Sequence, residues 1–422
     1  MLFGGGIKIF KMNTAIFRKA KGDPLLDEIS GTLENFTCWL ENYGEVSWDH
    51  QSFYAGPYGR FAKGLYYSAK LPGILAVAPM VFSEAYLPSA RRLFHHPIRL
   101  PIADAHYAMG YTFLCEATGN GAHLDRAAHF LEVLKTTRCP DYPEYCWGYP
   151  FDWVTRVGVY QRGTPLITTT PYAFEAFLQY YKFRETPDSR QVLLSIVRHA
   201  CKDIKDFKYS DHSDTCSYTP FDQGRIVNAS AYRAGMLAMA ASAFSMKELL
   251  PIVRRNVNFV LEVQNPDGSW PYAVDGERDF IDHFHTCFVM KGLAKVYLAD
   301  GGEDILAALE RGVDYYLKNL FSEDGMPKPF AKAPRRTVYL CELYDCAECI
   351  NLCVLLRPLF PQLQAKLEQV LPRILKEWVK RDGSFRSRKL KFGWDNVPMH
   401  RWAQSQMFRA LAYYLWKTRC RQ

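Results

Sequence analysis

The stretch Gln264-Asn265-Pro266-Asp267-Gly268-Ser269-Trp270 contains the turn that decides the fold. Its Asp-Gly step recurs at Asp324-Gly325 and at Asp382-Gly383, with almost the same number of residues between successive turns. Two amphipathic helical patterns lie between each pair of turns. A period of this size, with two helices per unit, is typical of stacked helical hairpins rather than of an ordinary globular core. The turns therefore predict a helical repeat protein.

The apolar periodicity assigns one inner and one outer helix to each hairpin. The predicted inner helices cover residues 103–117, 171–183, 229–244, 284–299, 344–357 and 400–416. The predicted outer helices cover residues 122–136, 189–207, 247–264, 304–320 and 362–380. A helix over residues 24–43 supplies the partner that the last inner helix lacks, and it closes the ring. We therefore expect an all-α fold, an (α/α)6 toroid of six helical hairpins.

We expect one toroid domain over residues 23–422, preceded by an N-terminal arm over residues 1–22. Residues 44–70 contain Gly56-Pro57 and are predicted to form loop and short turns. The apolar stretch 74–82 contains Pro79 and is about half as long as a bilayer-spanning helix. The first eleven residues have too short an apolar part for a signal peptide, so we expect a cytoplasmic protein with reduced thiols.

The composition limits the classes of partner. Of the 422 residues, 48% are hydrophobic and 15% aromatic, and the formal net charge is +8. Lys and Arg are spread along the chain without a basic cluster, so we predict no nucleic-acid partner. The mild positive charge gives a weak preference for an acidic polymer or a membrane face, and an ordinary soluble surface is the alternative.

Three cysteines, Cys346, Cys349 and Cys353, fall on one face of a predicted helix. They could be metal ligands, but no cluster of His or Cys elsewhere in the sequence completes a site. Buried small apolar residues are the interpretation that we favour. We accordingly predict neither a metal nor a cofactor.

The loops that precede the inner helices resemble one another. Residues 146–152 (CWGYPFD) are similar to residues 216–222 (CSYTPFD), and residues 268–272 (GSWPY) echo both. Each loop follows an outer helix and precedes an inner one, so all of them lie on one rim of the ring. Loops on a rigid scaffold commonly carry function.

One of these stretches resembles the QW repeat of triterpene cyclases, which has a Gln, three residues, a Gly, one residue and a Trp. Gln264, Gly268 and Trp270 match that spacing. The resemblance implies a structural role, in which the repeat staples an outer helix to the following turn. The Asp-x-Asp-Asp protonation motif of the cyclases is absent from this sequence, and so is the Cys-His-Gly zinc motif of lanthionine cyclases.

A longer part of the chain, about residues 145–410, resembles the toroid proteins encoded in bacterial polysaccharide gene clusters for biofilm matrix or O-antigen. The resembling stretches are residues 147–153, 227–230, 264–270, 281–286 and 401–404. The resemblance implies the architecture of six-hairpin glycosidases, uronate lyases and glucuronyl epimerases. It also implies a carbohydrate partner, with an acidic sugar as one option. Fold alone does not choose among these activities.

The toroid should bring the N-termini of its inner helices together at a cavity, where helix dipoles favour anionic groups. These positions and the rim loops supply the candidate site residues. The candidates for catalysis are His283, His285, Asp345, Glu348 and Tyr172. The candidates for substrate binding are Trp147, Tyr149, Asp152, Arg156, Asp222, Arg225, Asn228, Trp270, Tyr272, His400, Arg401 and Trp402.

Asp282-His283-Phe284-His285 is the most chemically loaded stretch. The two histidines are two positions apart, so at a helix start one can face the cavity while the other packs or caps. Which of them faces inward is left open. Histidine transfers protons near neutral pH. The structural alternative is an N-cap Asp282 with one packed and one exposed histidine.

Asp345 and Glu348 lie three residues apart, on one face of a helix. A carboxylate pair can run glycoside hydrolysis as acid and base or nucleophile. Asp345 could instead face Asp152 or Asp222 across the ring. The structural alternative is a capping box, in which Asp345 caps the helix and Glu348 completes the cap.

Asn228 stands at a predicted helix start, where an N-cap is its structural explanation. Its functional explanation is an amide that neutralises a uronate carboxylate and so eases abstraction of the neighbouring proton. With Tyr172 or His285 as the base, this reaction would be an elimination or an epimerisation.

Arg225 and Arg401 could each bind a substrate carboxylate or phosphate in bidentate fashion, or pair with a nearby acid. Trp147 and Trp270 offer flat faces on which a sugar ring can stack. The QW-like context makes Trp270 mainly structural, so Trp147 is the better ligand candidate.

These expectations combine into a glycan-processing protein of bacterial exopolysaccharide or O-antigen biosynthesis, with acid–base chemistry in a central cavity. Its class would be hydrolase, lyase or epimerase. His285 would transfer a proton, Asp345 would be a second acid, base or orienter, and Asn228 and Arg401 would hold the substrate. The protein would lack a transmembrane segment and could be peripheral to membrane-bound polysaccharide machinery. The alternatives are a non-catalytic glycan-binding or assembly protein and a terpenoid cyclase-like or prenyltransferase-like enzyme.

Overall fold

The structure, a computed structural model, describes residues 23–420 of the chain, and the predicted arm over residues 1–22 lies outside these residues. The helices, in chain order, are α1 Pro24–Tyr43, α2 Ser52–Ala55, α3 Pro57–Ser68, α4 Lys70–Tyr86, α5 Arg91–Phe94, α6 Pro101–Thr118, α7 Gly121–Thr136, α8 Thr170–Tyr181, α9 Pro187–Lys202, α10 Val227–Phe244, α11 Leu250–Glu262, α12 His283–Asp300, α13 Glu303–Asn319, α14 Leu343–Leu356, α15 Leu363–Arg373 and α16 Ser405–Arg419. Single π-helical turns cover Ile374–Trp378 and His400–Gln404, and 3-10 turns cover Pro88–Ala90 and Lys247–Leu249.

Short antiparallel strands stiffen the rim loops. They are β1 Trp153–Thr155, β2 Gly158–Tyr160, β3 Asp206–Lys208, β4 Asp214–Cys216, β5 Ile281–Asp282, β6 Phe330–Lys332, β7 Tyr339–Glu342, β8 Arg388–Leu390 and β9 Trp394–Asp395. β1 pairs with β2, β3 with β4, and β5 with β6, while β7, β8 and β9 form a three-stranded sheet. Two of these strands, β5 and β7, end directly before the inner helices α12 and α14, so they fix the positions of those helix starts.

The inner helices form a closed ring. α6, α8, α10, α12, α14 and α16 pack in that order, and α16 returns to α6. α7, α9, α11, α13 and α15 pack outside them, and α1 packs against α16 as the sixth outer helix. The predicted (α/α)6 toroid is confirmed, including its closure by the helix over residues 24–43.

Small residues let the inner helices approach one another closely. At Gly292 of α12, a Cβ would lie within 2.9 Å of the side chain of Ala231 in α10, and a Cβ at Gly235 would lie 3.1 Å from the Gly292 carbonyl oxygen. α10 and α12 are buried along most of their length, whereas the outer helices bury one face only. A helix that is apolar on all sides belongs in the interior, which explains the layer order.

Each Asp-Gly turn follows an outer helix along the chain and packs against the next outer helix of the ring. The Asp267 and Asp382 side chains accept hydrogen bonds from the backbone N–H two residues later, at Ser269 and Ser384. The glycine of the last turn, Gly383, has φ +88°, and a Cβ there would lie 2.6 Å from the carbonyl oxygen of Asn35 in α1. Only glycine tolerates both the left-handed backbone and this close approach.

The prediction of loop over residues 44–70 is wrong, because α2 and α3 lie within this range. The prediction for residues 189–207 is too long, since α9 ends at Lys202 and the chain turns into β3. The predicted helix over residues 362–380 is interrupted after Arg373, where a π turn follows Pro372. A π turn likewise opens the last inner helix at His400.

Replacing Gly383 by Ala should destabilise the fold through both the left-handed φ and the contact with α1. Gly393 is the matched control, because it has φ +84° and no atom within 4 Å of a built Cβ. The strain of the left-handed backbone alone costs about 1 kcal/mol. We expect Gly393→Ala to show that loss and Gly383→Ala a clearly larger one in thermal and urea unfolding. Equal losses would show that the turn does not depend on close packing against α1.

Candidate active site

The starts of the inner helices meet at a cavity of about 60 Å³. All six inner helices contribute residues from their first two turns, and two rim loops add a tyrosine each. The lining residues are Ile102, Tyr149, Thr168, Thr169, Tyr172, Tyr218, Asn228, Tyr232, Phe284, His285, Phe288, Tyr344, Arg401, Trp402 and Gln406. Most of the wall is aromatic, and the helix N-termini give it a positive electrostatic bias.

Asp282 and His285 form a hydrogen-bonded pair at the start of α12. Asp282 Oδ1 accepts the backbone N–H of His285 at 2.9 Å, and Asp282 Oδ2 lies 2.6 Å from His285 Nδ1. A carboxylate accepts but does not donate, so Nδ1 carries a proton, and in the neutral imidazole Nε2 keeps its lone pair. Asp282 is therefore at once the N-cap of α12 and the group that orients a histidine on the cavity wall. This arrangement is that of an oriented general base.

A second polar group consists of tyrosines of α8 and α10. It lies on the other side of Phe288 from His285. The hydroxyl oxygens of Tyr172 and Tyr232 are 2.5 Å apart, and Lys291 Nζ donates to Tyr172 Oη at 3.4 Å. Lys291 is also ion-paired with Glu348. Burial raises the pKa of both tyrosines well above the ordinary value of 10, so both hydroxyls are neutral.

Four residues of the cavity wall carry buried polar atoms without a hydrogen-bond partner in the described part of the chain. They are Asn228 Oδ1, Trp402 Nε1, Arg401 Nη1 and Gln406 Oε1. Native proteins satisfy nearly all such atoms by protein, water or ligand. Arg401 is otherwise held firmly, since its Nε donates to Asp49 Oδ2 at 2.9 Å and its guanidinium lies 4.6 Å from the Tyr149 ring centre.

The segment that contains Asp49, residues 44–100, is termed the lid segment. It connects α1 to α6 on the rim where the inner helices start. Besides the Asp49–Arg401 pair, its His50 ring packs on Trp402, with 4.6 Å between ring centres. A cleft of about 720 Å³ separates the lid segment from the rim loop that carries Phe151. Phe151 stacks on Tyr149 at 5.3 Å, so the cleft and the cavity share one wall.

The structure brings six of the predicted site residues to the cavity. They are Tyr149, Tyr172, Asn228, His285, Arg401 and Trp402. His285 is the histidine that faces inward. Tyr272 stands just behind it, with its ring 4.6 Å from that of His285.

Sequence reasoning missed Tyr218, Tyr232, Phe288 and Tyr344. Tyr232 and Phe288 each lie one helical turn after a residue that was noticed, Asn228 and Phe284. Following the same face for one more turn would have found them.

Trp147 is not a sugar-stacking surface. Its side chain is fully buried, and its Nε1 donates to the Leu134 carbonyl of the preceding outer helix at 2.9 Å. Trp270 makes the equivalent bond to Val260 at 2.9 Å. Both tryptophans thus tie an outer helix to its following turn, and Gln264 adds bonds to Gly268 and Ala308.

His283 and His400 are also structural. His283 is buried, donates to the Leu320 carbonyl from Nδ1 at 3.1 Å and accepts from Tyr316 Oη at 2.8 Å. His400 is buried against the end of α1, where its Nε2 donates to the Gly44 carbonyl at 3.0 Å.

The carboxylates expected at the cavity lie elsewhere. Glu348 is buried in its ion pair with Lys291. Asp345 is buried with no hydrogen-bond partner for either oxygen among the described residues, and burial raises its pKa well above the ordinary value. The capping-box alternative is wrong, because α14 begins at Leu343 without a side-chain cap. The N-cap alternative for Asn228 is wrong too, since α10 begins at Val227.

The remaining candidates lie on the rim, outside the cavity. Asp152 is ion-paired with Arg60 of the lid segment, and Arg156 with Glu277 at 3.1 Å. Asp222 accepts backbone hydrogen bonds within its own loop, from Tyr218 at 2.9 Å among others. Arg225 also belongs to this loop and has a left-handed φ of 77°. Asp345 therefore does not face Asp152 or Asp222 across the ring.

Two properties concern the described part of the chain as a whole. No group of three or more His, Cys, Asp or Glu within residues 23–420 is arranged to hold a metal ion. In the same residues, no helix combines the length and the apolar character needed to cross a bilayer.

The chain matches no protein-family model and no curated protein sequence. Solved structures, however, share its fold. A cellobiose 2-epimerase from Spirochaeta thermophila has TM-score 0.58 at 12% identity, over 83% of this chain and 98% of that chain. A glycosyl hydrolase family 88 protein from Bacteroides vulgatus has TM-score 0.54 at 9% identity, over 75% and 91%. A polysaccharide lyase has TM-score 0.53 at 8% identity, over 75% and 90%. The class defined by this fold is the α/α toroid.

Burial should make stability depend on the protonation of His400, whose pKa falls from 6.5 to about 4. The unfolded chain binds this proton more tightly than the folded one. The stabilisation is therefore complete above about pH 6.5 and is lost as the pH falls towards 4, by about 3 kcal/mol. We expect His400→Gln to flatten the fall in unfolding free energy over this range. The exposed His96, changed to Gln, should leave the slope unchanged, and an equal effect of both variants would refute the assignment.

Proposed function

We propose that this protein is an enzyme that moves a proton on a sugar of a polysaccharide or oligosaccharide, as an epimerase or a lyase. The observation that carries the proposal is the Asp282–His285 pair, which presents a histidine nitrogen to a cavity walled by aromatic rings. A bacterial exopolysaccharide or O-antigen pathway, and a cytoplasmic location, are further parts of the proposal.

A hydrolase is the less favoured class. Glycoside hydrolysis ordinarily needs two carboxyl groups that flank the scissile bond. None of the described residues that line the cavity is an Asp or a Glu. Asp282 is held by His285, and Glu348 is held by Lys291. Proton transfer by histidine and tyrosine needs no such pair.

In the proposed mechanism His285 Nε2 removes a proton from a sugar carbon next to a carboxylate or carbonyl group. Asp282 keeps the imidazole oriented and stabilises the imidazolium that forms. The Tyr172–Tyr232 pair supplies a neutral hydroxyl as proton donor, connected through Lys291 to Glu348. Donation to the opposite face of the carbon inverts it, whereas donation to a leaving oxygen at the next carbon cleaves the chain.

The wall suits an anionic sugar. Arg401 Nη1 and Trp402 Nε1 are buried donors that lack partners, and the inner-helix N-termini add positive potential. Donors placed at a carboxylate stabilise the charge that builds up when the neighbouring proton leaves. The fold supports a carbohydrate substrate as well, because the solved structures that share it include an epimerase, a glycosyl hydrolase and a polysaccharide lyase.

A cavity of about 60 Å³ holds a few water molecules. Entry of a sugar ring therefore requires the lid segment to shift at Asp49–Arg401 and His50–Trp402. The adjoining cleft of about 720 Å³ has room for the rest of the glycan.

The reaction is tested by incubating the purified protein with uronate-containing and neutral polysaccharides in deuterated water, followed by mass spectrometry. Deuterium at carbon without new chain ends identifies an epimerase, and unsaturated fragments identify a lyase. His285→Ala should reduce either signal about a hundredfold or more, because it removes the base. His212→Ala, an exposed histidine on a rim loop, should retain activity. Fragments that carry added water, or full activity without His285, would refute the proposed chemistry.

Asp282→Asn isolates the orienting role of the carboxylate. Asparagine is as good an N-cap as aspartate, so α12 should keep its start while the negative charge beside His285 is lost. We expect kcat to fall at least about tenfold with little change in KM, because the charge stabilises the imidazolium in the transition state. Steady-state kinetics of the variant give kcat and KM, and its thermal unfolding shows whether the fold is kept. An unchanged kcat would leave Asp282 as a helix cap only.

The non-catalytic alternative makes a different prediction. A glycan-binding protein would bind its polysaccharide through the aromatic wall, and His285→Ala would leave that binding intact with no turnover in any variant.

A further inference from the structure

The lid segment carries an unusual surface. More than half of the large apolar side chains that are exposed in the described residues lie between Tyr58 and Leu93. Single exposed apolar residues need no explanation, whereas a contiguous group marks a site of contact with a protein or a membrane.

The group is centred on α4. Leu71 and Leu75 are 77% and 76% exposed, and Phe82 and Tyr86 follow on the same side at 57% and 53%. Positions 71, 75, 82 and 86 lie on one helical stripe. The opposite side packs into the lid segment through Gly73, which is in backbone contact with Tyr66 of α3, and through Met80. α4 thus has its buried side anchored and a second, outward apolar side.

A rim hairpin extends this surface. Phe392, at the turn between β8 and β9, is exposed, and its ring stacks on Tyr86 at 6.1 Å. Leu340 of β7, the neighbouring strand, is exposed as well. We call the set Leu71, Ile74, Leu75, Phe82, Tyr86 and Phe392 the apolar face.

The charges near the apolar face are positive. Lys70 begins α4 and Lys391 directly precedes Phe392, and both are exposed. Arg335 is exposed too and lies near Lys63 of α3. Lys63 adds a half-buried cation, and its pKa is lowered to about 8 by burial and then by the charge of Arg335. Glu84 is the one acid within α3 and α4, and it is neutralised by Arg388 at 2.6 Å.

We propose that the apolar face inserts into the surface of an anionic lipid bilayer, with the surrounding Lys and Arg side chains on the lipid headgroups. A helix lying in the interface needs an apolar stripe and cations beside it, and both are present here. Aromatic rings such as Tyr86 and Phe82 are suited to the boundary between headgroups and acyl chains. A second copy of the chain would bind the apolar face less well, because the cations beside the two apolar faces would repel each other.

This contact would hold the cavity mouth at the membrane. The lid segment carries the apolar face on α4 and the Asp49 contact with Arg401 at the cavity. The inference is independent of the proposed reaction, and it would bring membrane-attached glycans within reach of the cleft.

The test is co-sedimentation of the full chain with vesicles of phosphatidylcholine alone and of phosphatidylcholine mixed with phosphatidylglycerol. We expect binding to the mixed vesicles that weakens with added salt. Leu75→Glu and Phe82→Glu should each lower the partition coefficient about tenfold or more, since burial of one such side chain is lost. Leu298→Glu is the matched control, because Leu298 is 60% exposed on α12, near the opposite end of the ring.

Thermal unfolding of each variant shows that it is folded, and light scattering without lipid gives the oligomeric state. Failure of the wild type to bind the mixed vesicles would overturn the proposal. An equal loss in Leu298→Glu would also overturn it, and so would a dimer that Leu75→Glu dissociates in the absence of lipid binding. Vesicle binding is measured without substrate, so its outcome does not depend on whether the proposed reaction is found.

Discussion

Closure of the ring is the constraint on which the rest of the structure depends. Each Asp-Gly turn places a glycine directly against the next outer helix, and the last one, Gly383, meets α1 from the other end of the chain. A helical hairpin cannot bury its apolar faces alone, so the ring is stable only when the last hairpin meets the first. Because inner and outer helices alternate along the chain, every inner helix runs the same way, and closure gathers all their N-termini around one rim.

The site follows from helix geometry at that rim. Residues two apart on a helix point about 200° away from each other. His285 therefore faces the cavity while His283 turns outward to Tyr316 and the Leu320 carbonyl. Asp282 caps α12 and orients His285 with its two oxygens. Asp282 thus caps the helix and also orients the candidate base. The structural and functional explanations of residues 282–285 are therefore compatible.

The lid segment contributes to two surfaces through different parts of its sequence. Asp49 and His50 contact cavity-wall residues, whereas α4 exposes its apolar face to the outside. A movement of the segment at one surface would be transmitted to the other, because α2, α3 and α4 share the small core of Phe53, Ala62 and Met80. The proposed access to the cavity and the proposed membrane contact would thereby be linked within one segment.

Turn chemistry and apolar periodicity are local properties, so the sequence was enough to predict the period, the helical hairpins and the toroid. It also predicted that the candidate site would lie at the rim. Three other features depend on contacts between distant segments: Trp147 is buried and bonded to α7, His400 packs against α1, and Glu348 pairs with Lys291. Short helices with Gly and Pro gave no periodic signal over residues 44–70, so the lid segment was missed. The burial of a side chain and its hydrogen-bond or ion-pair partner depend on contacts between segments that are distant along the chain. The spacing of residues in the sequence does not reveal these contacts.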